Sequence, residues 1–295
     1  MAILKDLAQV LHLYEQGNTS FIAVMLGRRL GQFRVHIKGG RRWPKKGFEY
    51  GFDLLARGEI LVYPRSGETL WVFKEWDERA RPQLGSSLPM LRAASYLCEF
   101  TEALTRSTSG SIDQSANADT STRERLYDLL AGTADALAGG VKPGGLLLTF
   151  TLRALELEGL LPSLTHCRDC EKTISRHTPA KTPHSSRQPD LIWMTREGLY
   201  CKECAGKLSR VQAAPERGIW LTPEAHRVLL HLYSSTKPVQ ASPAAARLLG
   251  LSLILLVQGA LERDLRTLQG AARAVLGLAP ASATKKPRPA APRAS

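Results

Sequence analysis

The amino-acid sequence predicts an α+β, multidomain protein: a small N-terminal β-structure, an α-helical bundle, and a cysteine-containing module inserted into that bundle. Three observations support this prediction. The chain has 295 residues, about twice the length that suits one hydrophobic core. Its hydrophobic periodicity changes from short runs to a helical repeat after Pro82. Four of its five cysteines form two Cys-x-x-Cys pairs, which lie between helical segments.

The N-terminal segment is predicted to be β-structure because short apolar runs alternate with turn residues such as Gly17-Asn18 and Gly39-Gly40. The strand candidates are residues 10–13, 21–26, 33–37, 59–63 and 70–73. So many short strands in so few residues are typical of a small closed barrel or of half a β-sandwich.

The first helices follow from apolar residues at helical spacing. Such residues recur on one face from Met90 to Leu104. Residues 105–122 are rich in Ser and Thr and predict a flexible loop. Ser121 and Glu124 then form a capping-box pattern that predicts the start of a second helix, and a third is expected after Pro143.

The C-terminal third is predicted to be helical again. Thr222-Pro223-Glu224 has the pattern of an N-cap, a first-turn proline and an acid, and a last long helix is expected over 254–275. The expected boundaries are 1–80 for the barrel, 81–165 for the first helical part, 166–207 for the cysteine module, 208–278 for the second helical part, and 279–295 for a disordered basic tail.

Composition narrows the class of protein. Hydrophobic residues make up 43% of the chain, which excludes a wholly disordered protein. The formal net charge of +13 favours a polyanionic partner, nucleic acid first and an anionic membrane second. No secretory signal is evident, and the most apolar run, Leu248 to Leu261, is too short to span a bilayer. We therefore expect a soluble, cytosolic protein without a membrane partner.

The cysteine pairs predict a structural zinc ion, one per chain, bound by Cys167, Cys170, Cys201 and Cys204. Two residues between thiolates let both sulfurs reach one ion, and four thiolates leave no open coordination position. The alternatives are two disulfides or idle thiols. His166 is interpreted as a bystander, and the segment 172–190 as a solvated insertion within the module.

A basic segment without acidic residues predicts phosphate contacts. It contains Arg28, Arg29, Arg34, Lys38, Arg41, Arg42, Lys45 and Lys46. Strand alternation places Phe33, Val35 and Ile37 inward, with Arg34 and Lys38 outward. Trp43 lies among the charges and offers an indole face on which a base could stack. The alternative is a merely solvated basic loop.

The sequence shows no motif for catalysis. It lacks the phosphate loop G-x-x-x-x-G-K-[ST], the metalloprotease motif H-E-x-x-H, the nucleophile elbow G-x-S-x-G and a dinucleotide fingerprint. We name no catalytic residue and expect a protein that is not an enzyme. The alternative is an enzyme whose catalytic residues are dispersed along the chain.

The order of parts resembles the bacterial recombination mediator family RecO. The resemblance covers about residues 5–277, including Lys38-Gly39-Gly40-Arg41-Arg42, the helix end at 155–162 just before the first cysteine pair, and Gly198-Leu199-Tyr200 before the second. The segments 105–122 and 172–190 look enlarged for that family, and the C-terminal helices are only loosely similar.

The resemblance implies an OB-fold barrel and no catalytic centre. It implies binding to single- and double-stranded DNA, and annealing of complementary strands, including strands coated by single-strand-binding protein. It also implies cooperation with RecR in loading RecA. The remaining alternative is a non-mediator protein with an OB-fold and a zinc module that binds nucleic acid, RNA included.

Overall fold

The computed structural model describes residues 3–40, 52–64, 70–85, 87–106, 117–174, 191–211, 218–235, 239–261 and 263–278. Their strands are β1 (Leu4–Gln16), β2 (Ser20–Gly27), β3 (Gly31–Ile37), β4 (Arg57–Tyr63), β5 (Leu70–Ala80), β6 (Ile192–Thr195), β7 (Gly198–Tyr200) and β8 (Ile219–Leu221). Their helices are α1 (Leu88–Leu104), α2 (Asn117–Ala138), α3 (Pro143–Leu157), α4 (Lys202–Val211), α5 (Pro223–Ser234), α6 (Pro243–Ala260) and α7 (Leu268–Val275), with a 3-10 turn at Leu276–Leu278.

The first five strands form a closed barrel in the order β1-β2-β3-β5-β4. Neighbouring strands are antiparallel except for β3 and β5, which are parallel. Alternation along β3 buries Phe33, Val35 and Ile37 in the barrel, while Arg34 and His36 lie half-buried on its outer side. The prediction of a small barrel is confirmed, and the half-sandwich alternative is wrong.

One side of the barrel wall packs on both of its faces, with the barrel interior on one and the helices on the other. Leu11 of β1, with Val24 and Leu26 of β2, is fully buried in the hydrophobic core of the helices, as is Leu55 just before β4. Residues between them line the barrel interior. Each fully buried leucine contributes about 1.5–3 kcal/mol. The barrel and the helices therefore share one continuous packing face.

The helical body is built around α3, α5, α6 and α7, which pack against one another. By length and composition alone α6 could cross a membrane, since it is an apolar helix of 18 residues, longer than the predicted apolar run. Half of it is buried inside the protein, and the Ser252 hydroxyl donates to the Leu248 carbonyl at 2.9 Å. In this structure α6 is a core helix of the body.

The predicted start of the second helix is wrong by one turn. The helix begins at Asn117, so Ser121 lies inside it and the connection after α1 is shorter than the predicted loop 105–122. By contrast, the predicted N-cap at Thr222 is confirmed, because its side chain accepts the Ala225 N–H at 3.2 Å.

The expected last long helix is two helices, α6 and α7, with a break after Ala260. A carboxylate from another part of the chain caps the second of them. Glu99 of α1 accepts the backbone N–H groups of Arg266 at 3.0 Å and Thr267 at 2.9 Å, and also the Thr267 hydroxyl at 2.7 Å. These bonds satisfy N–H groups at the start of α7, so a new helix begins there.

Candidate metal centre and nucleic-acid interface

The four predicted cysteine ligands come together in one cluster. The sulfurs of Cys167, Cys170, Cys201 and Cys204 all lie within 4.8 Å of one another. The sulfurs of Cys170 and Cys201 are 3.8 Å apart. A tetrahedron with zinc–sulfur arms of about 2.3 Å has edges of about 3.8 Å, so the cluster fits such an ion. The four cysteines can therefore hold one metal ion.

Backbone hydrogen bonds shape the first of the two cysteine turns. The Cys167 N–H donates to the Lys172 carbonyl at 2.9 Å, and the Glu171 N–H donates to the Cys167 carbonyl at 3.0 Å. Glu171 has a positive φ of 57°, which turns the chain sharply back after Cys170. The two cysteines of this pair are thereby placed at one end of the turn.

The second turn approaches the first directly. The Cys201 N–H donates to the Cys167 sulfur at 3.4 Å, which links the two cysteine pairs. Cys204 lies in the first turn of α4, and the Ala205 N–H donates to the Cys201 carbonyl at 2.9 Å. Strand β7 leads directly into this turn and pairs with β6. Strand β8 also pairs with β6, so the sheet beneath the cysteines extends beyond residue 207.

The surroundings of the sulfurs shift the pKa values of Cys167 and Cys204 in opposite directions. Burial alone would raise the pKa of the Cys167 thiol, but N–H groups of Cys170, Cys201 and Asp169 lower it to about 6. A hydrogen bond with Asp169, together with burial, raises the pKa of Cys204 above its ordinary value. Because zinc binds thiolates, an ion must displace the Cys204 proton, and acid weakens metal binding.

Buried contacts fix the cysteine module to the helical body. The Nε2 atom of His226, on α5, lies 2.8 Å from the Leu164 carbonyl, just before the first cysteine pair. Ile192 and Met194 of β6 are buried in the same hydrophobic core as the helices. The Arg196 guanidinium donates to Gln258 of α6 at 3.1 Å. The metal centre thus belongs to a rigid extension of the helices.

The described surface of this module is not basic. In residues 163–174 and 191–208, basic and acidic side chains nearly balance. Arg168 pairs with Glu197 at 3.1 Å, and Lys172 pairs with Glu203 at 3.4 Å. Four thiolates around a divalent cation would add a net negative charge. This part of the module therefore offers no electrostatic attraction to a polyanion.

Four of the nine predicted DNA-binding residues lie in the described chain, and the structure separates them into two pairs. Arg28 and Arg29 form the turn between β2 and β3, whereas Arg34 lies within β3 and Lys38 follows its end. Lys38 is exposed and Arg34 is half-buried. Outside the described residues are Arg41, Arg42, Trp43, Lys45 and Lys46.

The pair at the β2–β3 turn has carboxylate partners. Arg28 forms a fork with Asp128 of α2, with both distances 3.1 Å, and reaches Glu124 at 3.2 Å. The hydrogen bond with Asp128 raises the Arg28 pKa. Arg29 contacts the buried carboxylate of Asp6, which also accepts its backbone N–H at 2.8 Å. A phosphate at this end would have to compete with those carboxylates.

The other pair lies on a barrel face that sequence reasoning only partly found, and that the helices cover at Val24, whose side chain is buried in their core. Cross-strand pairing places His12, Val24 and Arg34 in one row. The next row contains Tyr14, Ile22 and His36. We call these two rows the β1–β3 face. The His12 and Tyr14 rings are 4.1 Å apart, and Tyr14 is 42% exposed.

The aromatic part of the β1–β3 face was missed because its register depends on an irregularity in β1. The pairing with β2 shifts between Val10 and His12. The shift places His12 and Tyr14 on the same side as Arg34, and simple alternation from the buried residues did not reveal it. The available signal was the spacing of two rings two residues apart, with His12 inside the predicted strand 10–13 and Tyr14 just beyond it.

These features define a class: proteins that join an OB-like barrel to a helical body carrying a four-cysteine cluster that can hold a metal ion. Comparison with known proteins gives the family. A family model described as "Recombination protein O C terminal" matches residues 85–269, which is more than half of the chain. The chain belongs to the RecO family.

Curated relatives agree with that assignment. The chain is 26% identical over 209 residues to "DNA repair protein RecO" of Rhodopirellula baltica, covering 70% of this chain and 69% of the relative. It is 28% identical over 208 residues to the protein of that name from Acidithiobacillus ferrooxidans, covering 67% of each. With the Moorella thermoacetica protein of that name it shares 24% identity over 250 residues, 84% of this chain and 83% of the relative.

Proposed function

We propose that this protein acts in DNA repair and binds single- and double-stranded DNA on the β1–β3 face. The observation that carries the proposal is the outward side of β3, where Arg34 leads to Lys38 and then into the basic segment 41–46. Its relatives bear the name DNA repair protein. Membership of the RecO family supports the same role.

Phosphate contacts on this face would come from side chains at strand spacing. Arg34 and Lys38 are four residues apart, about 13 Å along an extended strand, so they reach different phosphates. Arg41, Arg42, Lys45 and Lys46 would extend the track, with Trp43 available for stacking. Arg28 and Arg29 would join only after exchanging carboxylates for phosphates.

Stacking would add affinity for a single strand. Tyr14 and His12 present adjacent rings on the same face as Arg34, and a base placed on an aromatic ring contributes about 1–3 kcal/mol without much sequence preference. We therefore expect this face to prefer single strands over duplexes at moderate salt.

The proposed activity is annealing and mediation. Basic groups that neutralise two backbones while leaving base edges free allow complementary strands to pair without ATP. We further propose that the protein anneals strands coated by single-strand-binding protein and assists RecA loading with RecR, without a catalytic centre. The four cysteines would hold one structural Zn²⁺. The site of action would be the cytoplasm, at the nucleoid.

Strand annealing tests this function. Two complementary labelled oligonucleotides are mixed with the protein without nucleotide, with and without single-strand-binding protein. Acceleration in both conditions is the expected result. Binding without acceleration would refute the mediator proposal, and tighter binding to RNA than to DNA would favour an RNA-associated role instead.

A further inference from the structure

The four cysteines differ sharply in their exposure to solvent. Cys167 and Cys204 are buried, with exposed fractions of 1% and 3%. Cys170 is exposed and Cys201 is half-buried. The two accessible sulfurs belong to different Cys-x-x-Cys pairs and lie 3.8 Å apart. The centre therefore has a closed side, made by Cys167 and Cys204, and an open edge, made by Cys170 and Cys201.

We propose that this open edge is an oxidation site for hydroperoxides, at which Cys170 and Cys201 form a disulfide and the metal is released. The Cys170 thiolate attacks one peroxide oxygen, the O–O bond breaks, and water or an alcohol leaves, giving a sulfenic acid. The Cys201 sulfur then attacks that sulfenic sulfur, forms the S–S bond and expels water. The two sulfurs supply the two electrons that reduce the peroxide.

Access and geometry select this pair over the other combinations. A peroxide must approach the attacking sulfur in line, and solvent reaches Cys170 but not Cys167 or Cys204. The Cys167 sulfur also accepts the Cys201 N–H. Closing Cys170 onto Cys201 needs a contraction from 3.8 Å to about 2.05 Å. A disulfide is no thiolate ligand, so the centre loses two of its four ligands in one event.

The disulfide pattern can be determined by peptide mapping. Trypsin cleavage after Lys and Arg places the cysteines on separate peptides: Cys167 on 154–168, Cys170 on 169–172, Cys201 on 197–202, Cys204 on 203–207, and the buried Cys98 on 93–106. The experiment treats zinc-loaded, full-length protein with hydrogen peroxide. Released zinc is followed with a chromogenic chelator, and an unreduced tryptic digest is mapped by mass spectrometry.

The expected result is zinc release in step with one cross-linked species that joins 169–172 to 197–202, with Cys98 still reduced. Links within a pair, or links to either buried cysteine as the first product, would overturn the proposal. So would a protein that keeps its zinc while an exposed model thiol in the same tube is fully oxidised.

Two variants sharpen the test. Cys170→His keeps a ligand that structural zinc sites accept and removes the exposed sulfur, so peroxide should release zinc about tenfold more slowly. Cys98→Ser is the matched control, since Cys98 is buried in the helical core and should leave the release rate unchanged. If Cys170→His holds no zinc, the wild-type disulfide map still decides. The inference rests on the proposed Zn²⁺ but not on annealing, because annealing activity enters neither readout.

Discussion

Removing two charges from the β1–β3 face should change how DNA affinity depends on salt. In the variant Arg34→Ala/Lys38→Ala, both outward cations of the described β3 track are lost. Each phosphate neutralised on a single strand contributes about 0.7 to the slope of log affinity against log salt concentration. If both cations contact phosphates, the slope should flatten by about 1.4.

The size of the effect is large enough to measure. Between 50 mM and 200 mM salt, the wild type should lose roughly sevenfold more affinity than the variant, because the slopes differ by about 1.4. Fluorescence anisotropy with a labelled oligothymidine, repeated at five or six salt concentrations, gives both slopes. Circular dichroism should show an unchanged fold, because both side chains lie outside the barrel interior.

A matched control separates a specific track from general charge. Arg247→Ala removes an exposed cation from α6, on the helical body and away from β3, and should leave the slope unchanged. Equal slopes for wild type and double variant would refute the assignment of this face to DNA. If the control flattens the slope as much per removed charge as the double variant does, net charge alone determines how DNA affinity depends on salt.

Four further outcomes test the structure. Metal analysis should give about one zinc per chain, and chelation should lower Tm; a metal-free protein with the same Tm would exclude a structural ion. Glu99→Gln should lower the free energy of unfolding at neutral pH by about 1 kcal/mol. Burial raises the Glu99 pKa, but hydrogen bonds led by that from Thr267 outweigh it and lower the pKa. The stabilisation by Glu99 is therefore present above the ordinary carboxyl pKa and disappears as pH falls through the lowered Glu99 pKa. A difference in stability between wild type and variant that does not shrink in acid would contradict this role of Glu99. His226→Phe leaves the buried Leu164 carbonyl without its 2.8 Å partner, so denaturant unfolding should show a loss of about 1–3 kcal/mol, and hydrogen exchange should rise in the cysteine module first; unchanged exchange there would argue against His226 as its attachment. In Gly58→Ala the new Cβ would lie 2.4 Å from the Asp77 carbonyl oxygen, which should cost about 1–3 kcal/mol; an unchanged Tm would show that the strands can move apart.

The parts that sequence reasoning predicted well are those with local causes. The barrel strands follow from alternation and turn residues, and the cysteine cluster follows from two short spacings. The parts it missed depend on distant partners. Asp128, which holds Arg28, lies 100 residues away, and Glu99, which starts α7, lies 168 residues from Thr267. The ring pair of the β1–β3 face depends on a shift in strand register that only the pairing with β2 reveals.

The packing face shared by the barrel and the helices has a mechanical consequence. Because Leu11, Val24, Leu26 and Leu55 are buried in the helical core, the barrel has no hinge of its own on that side. A force on β1 passes to α1, which packs against it, and from α1 to α7, whose start is held by Glu99. A partner that moves the helical body would therefore move the barrel with it, together with any DNA bound there as proposed.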